Sequence, residues 1–135
     1  MHSTKRRQRS GGFTMIELLV VVAIVGILAA IAIPQMMAYR ARAFDARVEA
    51  DARNAATAEE AYAVDNDAYA TSGNCSALPG MIVSSGVTCT LASATCSDGT
   101  GGFVISTSHP KARRHCTWAS CGQTCSGQSG NICCS

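Results

Sequence analysis

From Leu18 to Ile33 every position is apolar except Gly26, and nothing in the run alternates. As a helix rising about 1.5 Å per residue, residues 13–33 reach roughly 30 Å, the hydrocarbon thickness of a bilayer. Beyond Pro34 the pattern changes to one apolar stripe. Phe44, Val48, Ala52, Ala55 and Tyr62 recur at spacings of three, four and seven, the period of a helix with one covered face. Alanines from Ala50 to Ala63 favour helix strongly. The pattern therefore predicts one helix from Phe13 to about Asn66, near 80 Å long if unbroken. Pro34 should kink it by removing a backbone donor, and Gly26 is a second weak point. Arg47–Asp51 and Glu49–Arg53 have the i, i+4 spacing of helical ion pairs.

After Asp65-Asn66-Asp67 the helical period stops, and residues 69–76 read as loop. Short β-prone pieces follow: Met81-Ile82-Val83, Val87 to Leu91 and Phe103 to Ser106, separated by Gly and Ser. Two or three antiparallel strands against the upper helix are expected. The tail from Cys116 shows almost no apolar core. The fold class is α+β: a long N-terminal helix, kinked near Pro34, and a small antiparallel, disulfide-rich head on its C-terminal half. The divisions are residues 1–12, 13–35, 36–69 and 70–135. The large apolar residues of the head are few, Leu78, Met81, Ile82, Val83, Val87, Leu91, Phe103, Val104, Ile105, Trp118 and Ile132 among them. So thin a core needs staples.

Cysteine supplies them. All eight of the chain's cysteines fall in the predicted head: Cys75, Cys89, Cys96, Cys116, Cys121, Cys125, Cys133 and Cys134. An even, confined count reads as a disulfide framework and puts the head outside the cytosol. Adjacent Cys133 and Cys134 should bond to different partners, and sequence does not choose the connectivity. The spacings suit neither zinc nor covalent haem, so no metal or cofactor is expected.

Charge is concentrated at the start. Of the 11 Lys and Arg, four lie before Gly11-Gly12, against nine Asp and Glu in the whole chain. The positive-inside rule keeps that end in the cytoplasm. One carboxylate, Glu17, stands at the head of the apolar run. An ionised acid there costs on the order of 3 kcal/mol at mid-helix and less near an end, so it needs a purpose. A secretory signal peptide or a plain signal anchor explains the basic and apolar regions but not Gly11-Gly12 or Glu17.

These residues resemble the type IV pilin family and the related type II secretion pseudopilins: Gly11-Gly12, Phe13, Glu17 and the block from Leu18 through Pro34-Gln35. The likeness covers about residues 11–69. It implies a leader cut between Gly12 and Phe13 by a membrane prepilin peptidase, which also N-methylates Phe13. It implies a subunit held in the inner membrane, passed to an assembly platform and polymerised with its own kind into an extracellular filament. Glu17 would meet the amine of a neighbour, and the helix between Gly26 and Pro34 would lose order in the filament.

The major-pilin reading has three competitors. A major pseudopilin carries a calcium site of late acidic residues, and no acid follows Asp98 here. A minor tip pilin would bind DNA or a surface. A membrane-anchored cysteine-rich domain would never assemble. Lys111, Arg113 and Arg114, in the run His109 to His115, form the one basic cluster outside the opening. They are candidates for polyanion contact, with a solvated loop as the plainer reading. Phe13, Tyr39, Phe44, Tyr62 and Tyr69 recur along the helix, where rings fill cores and subunit contacts by default and electron passage along them is the bolder reading. No arrangement of nucleophile, base or phosphate loop suggests an enzyme.

Overall fold

The computed structural model describes residues 12–125 and 128–135. The basic residues of the opening and Gly11 lie outside the described residues, as do the side chains of 72, 123–125 and 128–129. The chain divides into two units, one ending at Met37 and the other running Ala38–Ser135.

Helix α1 spans Met15–Asn66 and contains Pro34. In the first unit its large apolar residues are open to solvent, each more than half exposed. In the second unit the same helix buries one face: Val48, Asp51, Ala52, Ala55, Ala56 and Glu59. The predicted stripe is there, with Phe44 and Tyr62 half-buried at its ends. Alanine at three of these positions lets the sheet approach the helix backbone closely.

The sheet has five strands in sequential antiparallel order: β1 (Ser72–Asn74), β2 (Thr88–Thr95), β3 (Gly101–Ser108), β4 (Cys116–Cys125) and β5 (Gln128–Cys134). In β2, Cys89 and Leu91 point inward; in β3, Phe103, Ile105 and Thr107 do. That alternation is the period of a half-buried sheet. Phe103 and Ile105 join Leu91, Leu78, Met81, Ala55 and Ala56 in the main core, while Val48, Ala52 and Cys116 form a second cluster. Trp118 packs at the edge of the main core, half-buried, so Phe103 is its anchor.

Four expectations need correction. Met81-Ile82-Val83 is not a strand: Met81 plugs the core and Ile82 is 87% exposed. Residues 69–76 are not all loop, since they hold β1 and a 3-10 turn at Cys75–Ala77. The strands number five, because the cysteine-rich tail forms the β4–β5 hairpin. Arg47 and Asp51 do not pair. Asp51 is buried and accepts from the Ser84 amide (2.9 Å) and hydroxyl (3.0 Å), while Arg47 lies over the Phe44 ring at 5.5 Å. The Glu49–Arg53 pair does form.

Among the described residues three disulfides are placed in the head. Cys75–Cys89 ties the 3-10 turn to β2, Cys96–Cys121 ties the β2–β3 turn to β4, and Cys116–Cys134 ties β4 to β5. Cys133 is also disulfide-bonded, and therefore to a different partner from Cys134. The Cys125 side chain lies outside the described residues.

Candidate functional site

The first unit presents Gly12, Phe13, Thr14 and Glu17 together at the start of α1. Thr14 is the N-cap and Glu17 the third helical residue. The Thr14 backbone N–H and hydroxyl donate to Glu17 Oε2 at 2.8 and 2.7 Å, and the Glu17 N–H donates to the Thr14 hydroxyl at 3.3 Å. This is the reciprocal capping box, in which side chains satisfy donors that the first helical turn leaves orphaned. The Thr-x-x-Glu spacing was readable in the sequence, and the reading of Glu17 from the apolar run alone missed it. Both bonds to the carboxylate fall on Oε2. Among the described residues Oε1 accepts no hydrogen bond, so one oxygen remains open to an outside donor.

Beside that carboxylate lies a shallow groove lined by Phe13, Ile16, Glu17, Val20 and Val21. A wall of apolar side chains with one acceptor at its rim suits a partner with an apolar body and a cationic end. Further along, the Gly26 position is open, with no atom near enough to contact an added Cβ. Pro34 offers no N–H to the helix, so the Ala30 carbonyl lacks its usual partner. The segment is long and apolar enough to cross a membrane, and none of its apolar window is buried within the chain. An exposed apolar surface of this extent marks an interaction with lipid or with other protein.

The second predicted cluster sits in the head. Lys111, Arg113 and Arg114 are exposed in the β3–β4 loop. The loop is not freely solvated as expected. Asp45 of α1 accepts the Arg113 and Arg114 amides on one oxygen, at 2.7 and 3.1 Å. His109 stacks on Phe44 with ring centroids 4.3 Å apart, and its Nδ1 accepts the Lys111 amide at 3.0 Å. The Arg114 guanidinium donates to the Cys134 carbonyl at 3.0 Å. The loop is thus fastened to α1 and β5, and its three basic residues remain exposed.

Glu59 was not singled out by sequence. It is fully buried, with Oε1 accepting the Ala70 amide at 2.6 Å and Oε2 without a hydrogen-bond partner. Burial pushes its pKa up; the Ala70 bond opposes that, and the neighbouring Glu60 charge adds to it. Among the described residues no group of three or more His, Cys, Asp and Glu side chains is placed to hold a metal.

Residues 7–33 match the family of the prokaryotic N-terminal methylation motif. That range contains Gly12, Phe13, Thr14, Glu17 and Gly26 and stops one residue before Pro34. The chain is similar to a type IV wide pilus major component of Thermus thermophilus, 50% identical over 58 residues, which is 43% of this chain and 44% of that one. It is 38% identical over 74 residues to a type IV major pilin of Myxococcus xanthus, or 55% of this chain and 34% of the pilin. It is 46% identical over 65 residues to a type II secretion system core protein G of Pseudomonas aeruginosa, or 48% and 45%. The chain spans less than half the length of each of these relatives. No solved structure shows significant similarity to it. The resemblance to type IV pilins and pseudopilins is therefore borne out for the N-terminal segment.

Proposed function

We propose that this chain, whose N-terminal segment is that of type IV pilins and pseudopilins, is a prepilin whose mature form is the structural subunit of an extracellular type IV pilus. One observation carries the reading: a membrane-length apolar helical segment, none of it buried, that holds a single carboxylate in its first turn, with one oxygen open. A prepilin peptidase would cut between Gly12 and Phe13 and methylate the freed amine. The new amine would stand near the helix start, one turn from Glu17.

Before assembly the segment lies in the inner membrane. In the filament the same surface lies against neighbouring helices. Lipid and helix bundle are both apolar, so the transfer changes hydrophobic energy little and specific contacts decide it. A carboxylate that meets one amine at one axial offset sets register, since buried ion pairs serve specificity better than net stability. Gly26 and Pro34, which weaken the helix between them, would let that stretch adapt to its neighbours. An assembly platform would move the subunit, and the chain itself would perform no catalysis.

The relative in type II secretion supports a second reading, a pseudopilin. The lack of acids after Asp98 favours the pilus over a calcium-binding major pseudopilin. Adhesion, motility and DNA uptake are the uses open to such a pilus, and DNA would meet it at Lys111, Arg113 and Arg114. Shearing cells and measuring the intact mass of the released protein tests the reading. The expected mass is that of a chain beginning at N-methylated Phe13 with its cysteines oxidised. Protein found only in membranes, or beginning at Ile33 after Ala30-Ile31-Ala32, would refute it.

A further inference from the structure

The charges of the head are separated along its length. Between Arg53 and Lys111 there is no Lys or Arg, and that stretch holds Glu59, Glu60, Asp65, Asp67 and Asp98. Outside it, in the second unit, stand Arg40, Arg42, Arg47, Arg53, Lys111, Arg113 and Arg114.

The fold turns this sequence bias into two ends. Arg42 and Asp65 are 23 residues apart on one helix, or roughly 35 Å. Strand β3 separates the Asp98 turn from the Lys111 loop by eight residues, about 25 Å. The Lys111 loop is fixed to Phe44 and Asp45 at the end where α1 enters the head. The β2–β3 hairpin lies by the other end: Ser93, Ala94, Gly101 and Gly102 line a groove with Asp67, Ala68 and Tyr69. Glu60, Asp65, Asp67 and Asp98 are exposed there.

The acids at the basic end are already engaged. Asp45 accepts two loop amides, Glu49 pairs with Arg53, and Asp51 is buried on Ser84. Among the described residues no carboxylate pairs with Arg42, Arg47, Lys111, Arg113 or Arg114. One end of the head therefore offers cations without a carboxylate partner, and the other offers exposed carboxylates without a cationic partner among the described residues.

We infer that the basic end formed by Arg42, Arg47, Lys111, Arg113 and Arg114 docks against the acidic end, Glu60, Asp65, Asp67 and Asp98, of a second copy of this chain. This rests on the filament reading and names the head surfaces that follow from it. Two different patches meeting head to tail make a heterologous contact, which propagates as an open helical array. Complementary charge suppresses wrong offsets and speeds encounter more than it adds affinity. A polyanion such as DNA would use the basic end but leave the acidic end without a purpose, and the second copy accounts for both.

Lys111 is the one lysine after residue 12, which makes the test specific. A water-soluble carbodiimide activates a carboxylate as an O-acylisourea. The Lys111 amine attacks the acyl carbon, an amide forms and a urea leaves. Sheared filaments so treated should give a ladder of multimers in denaturing, reducing gels. Their digests should contain Lys111 joined to Glu60, Asp65, Asp67 or Asp98. Within one head that link cannot form, because the ends are too far apart.

Filaments of the Lys111→Arg variant, which keep the charge, should lose these links between heads. Lys111→Glu with Arg113→Glu should lower filament yield by at least about tenfold, since like charges then face each other. Adding Asp65→Lys and Asp67→Lys should restore it. Filaments in which Lys111 joins none of these acids, or which tolerate the reversal unchanged, would overturn the inference and leave the filament reading standing. Duplex DNA retained by such filaments would assign the basic end to a polyanion. A wild-type chain that forms no filament would overturn the filament reading itself.

Discussion

Three acids of this chain are set apart by what surrounds them. Glu17 was legible because it interrupts an apolar run, a local pattern. Asp51 and Glu59 were not, because their partners are tertiary: Ser84 lies 33 residues from Asp51, and the amide of Ala70 lies across the helix end from Glu59. On a helical wheel both fall on the face of Val48, Ala52 and Ala55, so their burial was readable from the stripe but their partners were not. Glu59 has a testable consequence. Its folded pKa lies above the ordinary value of 4.5, so the unfolded chain gives up this proton first. Below that value the group contributes no difference. As pH rises through and above 4.5 the ionised form is penalised only in the fold, and stability declines until the folded pKa is passed. Denaturant unfolding of the wild type and Glu59→Gln should show the wild type losing stability relative to the variant between about pH 4 and neutrality. Parallel curves would mean that Glu59 is not buried as described. Asp98 has the opposite sign. The Thr100 hydroxyl and amide hold its pKa down, so its contribution disappears as pH falls into the acid range below 3.8.

At the scale of elements, the helix was legible from end to end because its signals are local: alanine content, a 3.6-residue stripe and an apolar run. Strands β2 and β3 were legible for the same reason, through alternation in Leu91, Phe103 and Ile105. The β4–β5 hairpin was not. Apart from Trp118, Ala119 and Ile132 its residues are Cys, Ser, Gly, Thr, Gln and Asn, and strand pairing and Cys116–Cys134 hold it beside those few apolar contacts. Reduction should accordingly act on the tail first. Each bond contributes about 2–4 kcal/mol, and amide exchange across 116–134 should rise on reduction well before that of residues 48–59. Uniform loosening of both would contradict this. The turn before β2 offers a second check. Gly86 has φ +81°, and a Cβ there would fall 2.7 Å from His109 Nε2. Gly86→Ala should cost about 1–3 kcal/mol from backbone strain and should displace His109 from Phe44. A thermal midpoint equal to that of wild type would show that the turn and loop adjust freely.

At the scale of the whole molecule, the apolar helix was legible in the sequence, since membrane length is a property of composition. The sequence did not show that the head's charges lie at two ends, because that separation exists only once β3 has set the Lys111 loop and the Asp98 turn apart. The central claim is that the helix drives polymerisation and that Glu17 sets its register. Replacing Glu17 by Val removes a charge that is costly in lipid, so the protein should remain in the membrane at normal or higher amounts. The incoming amine would find no acceptor. The deciding measurement is the mass of sheared filament per cell in wild-type and Glu17→Val strains, with membrane-held protein measured in parallel. The account predicts an at least tenfold loss of sheared filament with membrane protein undiminished, about 1.4 kcal/mol or more of assembly free energy. Wild-type filament yield from the Glu17→Val strain would contradict it.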